Sequence, residues 1–297
     1  MDGGRAAVHL SVSTWQQPLP ATASPRRTAL LAEISERVLA LGGGRLRVGV
    51  DGFTAAGKTS FGHELAQRIS ARGRPVLRAS LDDFKKPWRD RHLYDRESGE
   101  GYYRNAFDYE AVAHLLLEPA GPDGTGECAL CAIDPLTQVD HRDVMTSAPP
   151  DAVLIVDGVF AFRPELNDLW NLRIWLAVDE ETSVRRGKDR DGDEAVHRDR
   201  YLVAERLYLS EVDPVRLADI VVDNTDFDRP GCLRLRVEAP HAYGTGTRLV
   251  VVVGAGDGDS VHAGADHGAQ DLTAHGSHPV TVLGVPLDLD HRAIIAR

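Results

Sequence analysis

Residues 52–59 read Gly-Phe-Thr-Ala-Ala-Gly-Lys-Thr, a complete GxxxxGK(S/T) pattern set between a short apolar run at 46–50 and a helical pattern at 60–72. That order of strand, loop and helix is the context in which the pattern binds phosphate, and it constrains the fold more than any other feature of the chain. Gly52 and Gly57 let the backbone curl so that successive N–H groups of Phe53, Thr54, Ala55 and Ala56 face phosphate oxygens. Lys58 supplies a point charge for the β- and γ-phosphates, Thr59 offers a hydroxyl to Mg²⁺, and Ser60 opens the helix whose positive dipole end faces the anion. Phe61, Leu65 and Ile69, spaced by four, give that helix its apolar stripe. The cofactors expected from the loop are a nucleoside triphosphate and Mg²⁺.

Composition narrows the partners. A formal net charge of −11 over 297 residues disfavours a general nucleic-acid binder, which needs a basic face, and favours a small-molecule partner. No apolar stretch approaches the ~20 residues that span a bilayer, and the first residues lack the charged and apolar regions of a signal peptide, so no membrane association and a cytoplasmic address are expected. Three cysteines do not make a disulfide framework. Cys128 and Cys131 form a CxxC, but a structural zinc would need two more ligands at suitable spacing, so the pair is read as incidental. Thirty of the 34 basic residues are arginine, which in an Ala- and Gly-rich chain reflects coding composition, so arginine number alone carries no functional weight.

Along the chain, residues 1–25, with three prolines, read as a loose leader, and an amphipathic helix at 26–41 ends at Gly42-Gly43-Gly44. Short apolar runs at 75–81, 152–156, 172–178 and 218–222 alternate with helical patterns at 109–117, 181–190 and 194–211. Such alternation predicts βαβ units and an α/β, three-layer fold with a mainly parallel sheet. The domain is expected over 26–229. Residues 230–297, rich in Gly and His and without lysine, are expected to be a disordered tail, with one strand at 249–253. Its histidines lack the fixed spacing of a metal site.

Two strands end in acids. The run at 75–81 leads into Asp82-Asp83-Phe84, at the sheet edge where open α/β folds bind ligands, and a carboxylate there can accept a proton or hold Mg²⁺ through water. The run at 152–156 ends in Asp157-Gly158, which makes Asp157 a second candidate for the magnesium shell. Seven basic residues, Arg185, Arg186, Lys188, Arg190, Arg198, Arg200 and Arg206, lie on the helical stretches that follow, and two or three of them are expected to reach the transferring phosphoryl group from a mobile lid.

The order of these motifs, with Tyr102-Tyr103-Arg104-Asn105-Ala106-Phe107-Asp108 between the acid-ended strands and Arg186-x-x-x-Arg190-Asp191 after them, resembles the uridine kinase and phosphoribulokinase family over about residues 45–228. The resemblance implies a P-loop kinase fold with a five-stranded parallel sheet and transfer of the ATP γ-phosphate to a hydroxyl of a small acceptor. It makes Asp82 the catalytic base, Asp108 an acceptor-sugar contact, and Arg186 and Arg190 the lid arginines. Asp83, Phe84, Tyr103, Arg104 and His141 complete the expected acceptor side. The chain departs from the family at Lys85, where an aromatic residue is frequent, and matches only loosely over 133–142.

The reading is therefore a uridine-kinase-type phosphotransferase acting on a nucleoside-like acceptor. The alternatives are a kinase for nicotinamide riboside, pantothenate or a sugar phosphate, or an ATP-binding regulator without turnover. Both acids and the arginines favour an enzyme, because a binding module needs only the loop. A GTPase switch is disfavoured by the lack of an Asn-Lys-x-Asp segment.

Overall fold

The computed structural model describes residues 5–15, 23–238, 248–253, 261–265 and 281–282. In chain order the main elements are β1 (Val8–Leu10), α1 (Pro25–Ala40), β2 (Leu46–Gly52), α2 (Lys58–Ala71), β3 (Val76–Ser80), α3 (Gly99–Asn105), α4 (Tyr109–Ala111), β4 (Glu127–Ala129), β5 (Met145–Ser147), β6 (Val153–Asp157), α5 (Pro164–Asn167), β7 (Leu172–Ala177), α6 (Glu180–Asp191), α7 (Glu194–Val196), α8 (Leu202–Val212), α9 (Pro214–Leu217), β8 (Ile220–Asp223) and β9 (Gly231–Glu238). The sheet runs β1-β3-β6-β2-β7-β8-β9. Every pairing from β1 to β8 is parallel, and β9 joins antiparallel.

All five predicted strands of the α/β core are present, and β2, which feeds the phosphate loop, lies at its centre between β6 and β7. A strand covered on both faces reads as a continuous apolar run, and Val48, Val50, Val153, Leu154, Ile155 and Ile174 are all buried. Helix α1 starts where Ser24 caps the N–H of Arg27 and Pro25 occupies the first turn, and it buries Leu30, Leu31, Ile34 and Val38.

Both domain edges differ from expectation. Part of the supposedly loose leader is a strand, β1, in parallel register with Val76–Arg78, and beyond it Ser11 and Thr14 hydrogen-bond Asp83 and Asp134. Three residues are too few for a visible alternation, so no pattern announced the strand. At the other end, β9 continues the sheet past residue 229, and strands at 248–253, 261–265 and 281–282 follow it, the first of them the predicted one. The rest of the expected disordered tail, and residues 1–4 and 16–22 of the leader, lie outside the described residues. The predicted helix at 109–117 is a short α-turn running into a π-helical segment, Val112–Leu117, and the one at 194–211 is broken by a second π segment, His197–Tyr201.

A buried arginine joins three elements beneath the phosphate loop. Arg27 of α1 is fully buried and donates through Nε and Nη2 to the carboxylate of Glu64 on α2, at 2.6–2.9 Å. Its Nη1 donates to Asn224 Oδ1 at 2.9 Å, and its guanidinium lies 3.8 Å from the centre of the Phe227 ring. Removing one partner of such a pair leaves a buried charge uncompensated, so Arg27→Met is expected to cost about 3–5 kcal/mol in urea unfolding, and Arg27→Met with Glu64→Leu much less. Equal losses in the two variants would contradict this account.

Candidate active site

The phosphate loop owes its shape to three left-handed or near-left-handed positions: Gly52 at φ +152°, Ala55 at +59° and Gly57 at +90°. At Gly52 a Cβ would fall 2.5 Å from the carbonyl oxygen of Leu176, so any side chain there would push the loop off β7. Ala55 adopts a conformation that costs energy for a residue with a Cβ, and neighbouring side chains hold the loop around it. Asn224 donates to the Ala56 carbonyl at 2.6 Å, Ser183 donates to the Thr54 carbonyl at 2.7 Å, and Glu205 accepts from the Thr54 N–H. Just upstream, buried Asp51 accepts from the Gly52 N–H and from the Tyr208 hydroxyl, both at 2.7 Å.

Lys58 opens α2 and lies over the loop, its Nζ donating to the carbonyls of Gly52 and Phe53 at 2.9 and 2.7 Å. Burial lowers its pKa from the ordinary lysine value, opposed by Asp51, Glu205, Asp82 and Asp157 around it. Next to it, the Thr59 hydroxyl donates to Asp157 Oδ2 at 2.6 Å. Asp157 ends β6, and its other oxygen takes Arg78 at 2.5 Å, while Arg78 also donates to the Ile155 carbonyl at 2.6 Å. A threonine hydroxyl and a carboxylate anchored on one side fit the donor set of Mg²⁺ beside a phosphate loop, which takes hard oxygen ligands and keeps several of its waters.

Asp82 is the second residue of a 3₁₀ turn (Leu81–Phe84) that Ser80 caps by accepting from its N–H, and it lines the same cleft. Lys85, one turn on, stands 2.6 Å from Asp82 Oδ1. Burial pushes the Asp82 pKa up, but Lys85, Lys58 and Arg190 together outweigh it and hold the carboxyl below the usual range. Asp82 is therefore an anion at neutral pH, as a proton acceptor must be.

The cleft holds about 530 Å³. Of the expected residues, Thr54, Ala55, Gly57, Lys58, Thr59, Ser60, Asp82, Asp157, Arg186 and Arg190 line it. Gly52, Phe53 and Ala56 lie behind the loop surface, the last two as part of the core. Arg186 donates to the carbonyls of Asn224 and Thr225 at 3.0 and 2.8 Å, and Arg190 pairs with Asp191, which also meets His197 Nε2 at 3.0 Å.

None of the six residues expected on the acceptor side lines the cleft. Asp83 points the opposite way from Asp82 along the turn and is buried against Ser11, which donates to it at 2.8 Å. Burial pushes its pKa up to about 7. Phe84 is core, and Tyr103 is buried edge-on against Phe160. Arg104 is held outside by Glu211 and Glu100 at 2.6 and 2.9 Å. Asp108 caps α4 through the Ala111 N–H, and His141 is placed by its backbone N–H on the Ala132 carbonyl. Their places are taken by Tyr102, Lys85, Arg91, Arg200, Tyr201, Trp88 and Trp15. The exchange of Tyr103 for Tyr102 has a simple cause: adjacent residues on α3 face about 100° apart, and motif order does not say which face meets the cleft. Burial pushes the thiols of Cys128 and Cys131 up to about 11 and about 12, so both stay protonated at neutral pH.

Glu205 yields a pH prediction. Burial raises its pKa to about 7 from an ordinary 4.5, against the bonds from Thr54 and the charge of Lys58. Between those values the folded chain keeps a proton that the unfolded chain releases, so this group costs stability increasingly as pH rises from 4.5 to 7, and in full above it. Glu205→Gln is expected to gain on the wild type by up to about 3 kcal/mol between pH 5 and pH 8 in urea unfolding. A difference between the two proteins that does not change with pH would contradict it.

No family model matches the chain. A protein named uridine kinase from Leuconostoc citreum (strain KM20) is 25% identical over 185 residues, covering 60% of this chain and 86% of its own. A solved structure from Bacillus stearothermophilus, described as a possible uridine kinase, superposes with a TM-score of 0.51 at 23% identity and covers 65% of this chain and 97% of its own. The chain thus resembles uridine-kinase-type P-loop kinases in sequence, and the superposition supports the same α/β fold.

Proposed function

We propose that the chain transfers the γ-phosphate of ATP to a hydroxyl of a small acceptor. The observation that carries this reading is one cleft lined at once by Lys58 on the phosphate loop, the Thr59–Asp157 pair, the ionised Asp82, and Arg186 and Arg190 of α6. A pure nucleotide sensor requires the loop alone. A carboxylate held as an anion between Lys58, Lys85 and Arg190 is what an in-line attack by a hydroxyl requires as proton acceptor.

In this reading Lys58 and the loop N–H groups other than those of Thr54 and Ala56, which Glu205 and the Phe53 carbonyl take, bind the β- and γ-phosphates, and Thr59 with Asp157 would hold Mg²⁺, which when bound would neutralise charge on those phosphates. Asp82 orients the acceptor hydroxyl and takes its proton. Arg186 and Arg190, which line the same cleft as Tyr201 and Val196, would turn from their present partners to donate to the phosphate oxygens and help exclude water that would otherwise compete for the phosphoryl group. Likeness to a protein named uridine kinase makes nucleosides the first acceptor class to test, and the same geometry serves nicotinamide riboside, pantothenate or a sugar phosphate. Among the described residues no helix is long and apolar enough to cross a membrane, and we assign the protein to the cytoplasm.

The test is ADP release from Mg²⁺-ATP across those acceptors. Asp82→Asn is expected to keep nucleotide affinity within about threefold and lose at least about a hundredfold in kcat, since general-base catalysis contributes 10²–10⁴-fold. An unchanged kcat would remove Asp82 from its role. Lys58→Ala is expected to weaken both nucleotide binding and turnover, and wild-type kinetics in that variant would refute the reading of the loop.

A further inference from the structure

The cleft carries more positive charge than recognition of a triphosphate uses. Lys58, Arg186 and Arg190 are assigned to the phosphates above, yet Lys85, Arg91 and Arg200 also line the cavity, among the rings of Tyr102, Tyr201 and Trp88. Lys85 is neutralised by Asp82 at 2.6 Å. Arg91 has no such partner: among the described residues it makes no salt bridge, and its Nε donates to the backbone carbonyl of Lys86 at 2.7 Å. Among the described residues Arg200 reaches the exposed Glu97, at 3.4 Å, and the carbonyl of Arg96, at 2.8 Å. Its Nε is buried with no hydrogen-bond partner.

The acids of the cleft are engaged elsewhere. Asp157 is held by Arg78, Asp191 by Arg190 and His197, and Asp193 caps α7 through the Val196 N–H. The Arg200 guanidinium lies over the rings of Tyr102 and Tyr201, 5.1 and 5.7 Å from their centres, in cation–π contact with both. Burial lowers the pKa of Arg91, Arg200 and Arg96 add to that effect, and Tyr102 and Asp82 oppose it. Two partly desolvated guanidiniums lining one cavity, of which Arg91 makes no salt bridge among the described residues and Arg200 meets the exposed Glu97 at 3.4 Å, gain from an anion that joins them.

We propose that Arg91 and Arg200 form an anion subsite for the phosphoryl acceptor, so that the acceptor is a hydroxyl compound bearing a phosphate monoester or a carboxylate. This rests on the kinase reading of the same cleft and narrows it, because a neutral nucleoside leaves both guanidiniums uncompensated. Planar, forked donors of this kind pair bidentately with either anion. Arg91, Arg200 and Asp82 line the same cleft, so an anion held by the two arginines brings its own hydroxyl into the cavity that holds the proposed proton acceptor.

The test uses the full chain saturated with Mg²⁺ and a non-hydrolysable ATP analogue, so that the phosphate loop is occupied. Inorganic phosphate and, separately, acetate are titrated while tryptophan fluorescence is followed, since Trp15 and Trp88 line the cleft. Saturable binding of at least one anion is expected, weakened about tenfold or more by Arg91→Gln and by Arg200→Gln and less by Arg91→Lys. Binding of phosphate alone identifies a phosphate ester as the acceptor, and binding of acetate alone a carboxylate. The proposal is overturned if neither anion saturates while the analogue binds, or if both glutamine variants bind as the wild type does. Retained analogue affinity in those variants reports an intact fold. Failure of the wild type to bind the analogue would overturn the kinase reading, and this one with it.

Discussion

The site depends on keeping a curled loop in place by contacts from outside it. Residues 52–57 form no regular hydrogen-bond ladder of their own, so the N–H groups that face a phosphate stay aimed only if the remaining polar groups of the loop are held elsewhere. Three separate parts of the chain supply that hold. Asn224, following β8, takes the Ala56 carbonyl; Ser183 on α6 and Glu205 on α8 take the two polar groups of Thr54; and Asp51, backed by Tyr208, takes the Gly52 N–H. Arg27 and Glu64 sit under Asn224 and fix its amide. Since α6 also carries Arg186 and Arg190, the helix that places the arginines is tied directly to the loop.

Charge distribution divides the cleft. Beside the phosphate loop, Asp157 is paired with Arg78, which is itself anchored on the Ile155 carbonyl, and Asp191 is paired with Arg190. Elsewhere in the cleft the balance differs: among the described residues Arg91 makes no salt bridge, and Arg200 meets the exposed Glu97 at 3.4 Å. Evenly paired charges would serve structure in either place. The unevenness is what gives the second region a chemical preference.

The sequence made some of this legible and left other parts hidden, for physical reasons. The loop, its strand and its helix could be read because their chemistry depends on local order, and Asp82 and Asp157 because a strand's end places its acid at the sheet edge. The five central strands showed as continuous apolar runs, as strands buried on both faces do. β1 is too short to show a pattern, and β9 follows Pro230 in a stretch whose composition reads as irregular. The residues expected on the acceptor side do not line the cleft, because direction within a turn or short helix decides which neighbour does. Asp82 faces the cleft and its neighbour Asp83 the interior; Tyr102 faces the cleft and Tyr103 the aromatic core. Glu205 and Asp51 had no local signal at all, since only the packing of α8 over the loop gives a buried carboxylate there a partner.

The most direct measurement of the central claim is the fate of the γ-phosphoryl group. The protein is incubated with Mg²⁺ and ATP labelled at the γ-position, in the presence of neutral and anionic hydroxyl acceptors, and the label is traced by chromatography. The account predicts label in an organic phosphate ester, formed with at least one acceptor and lost in Asp82→Asn. Label recovered only as inorganic phosphate, or left in ATP with every acceptor while ATP remains tightly bound, would contradict the reading of this cleft as the site of a kinase.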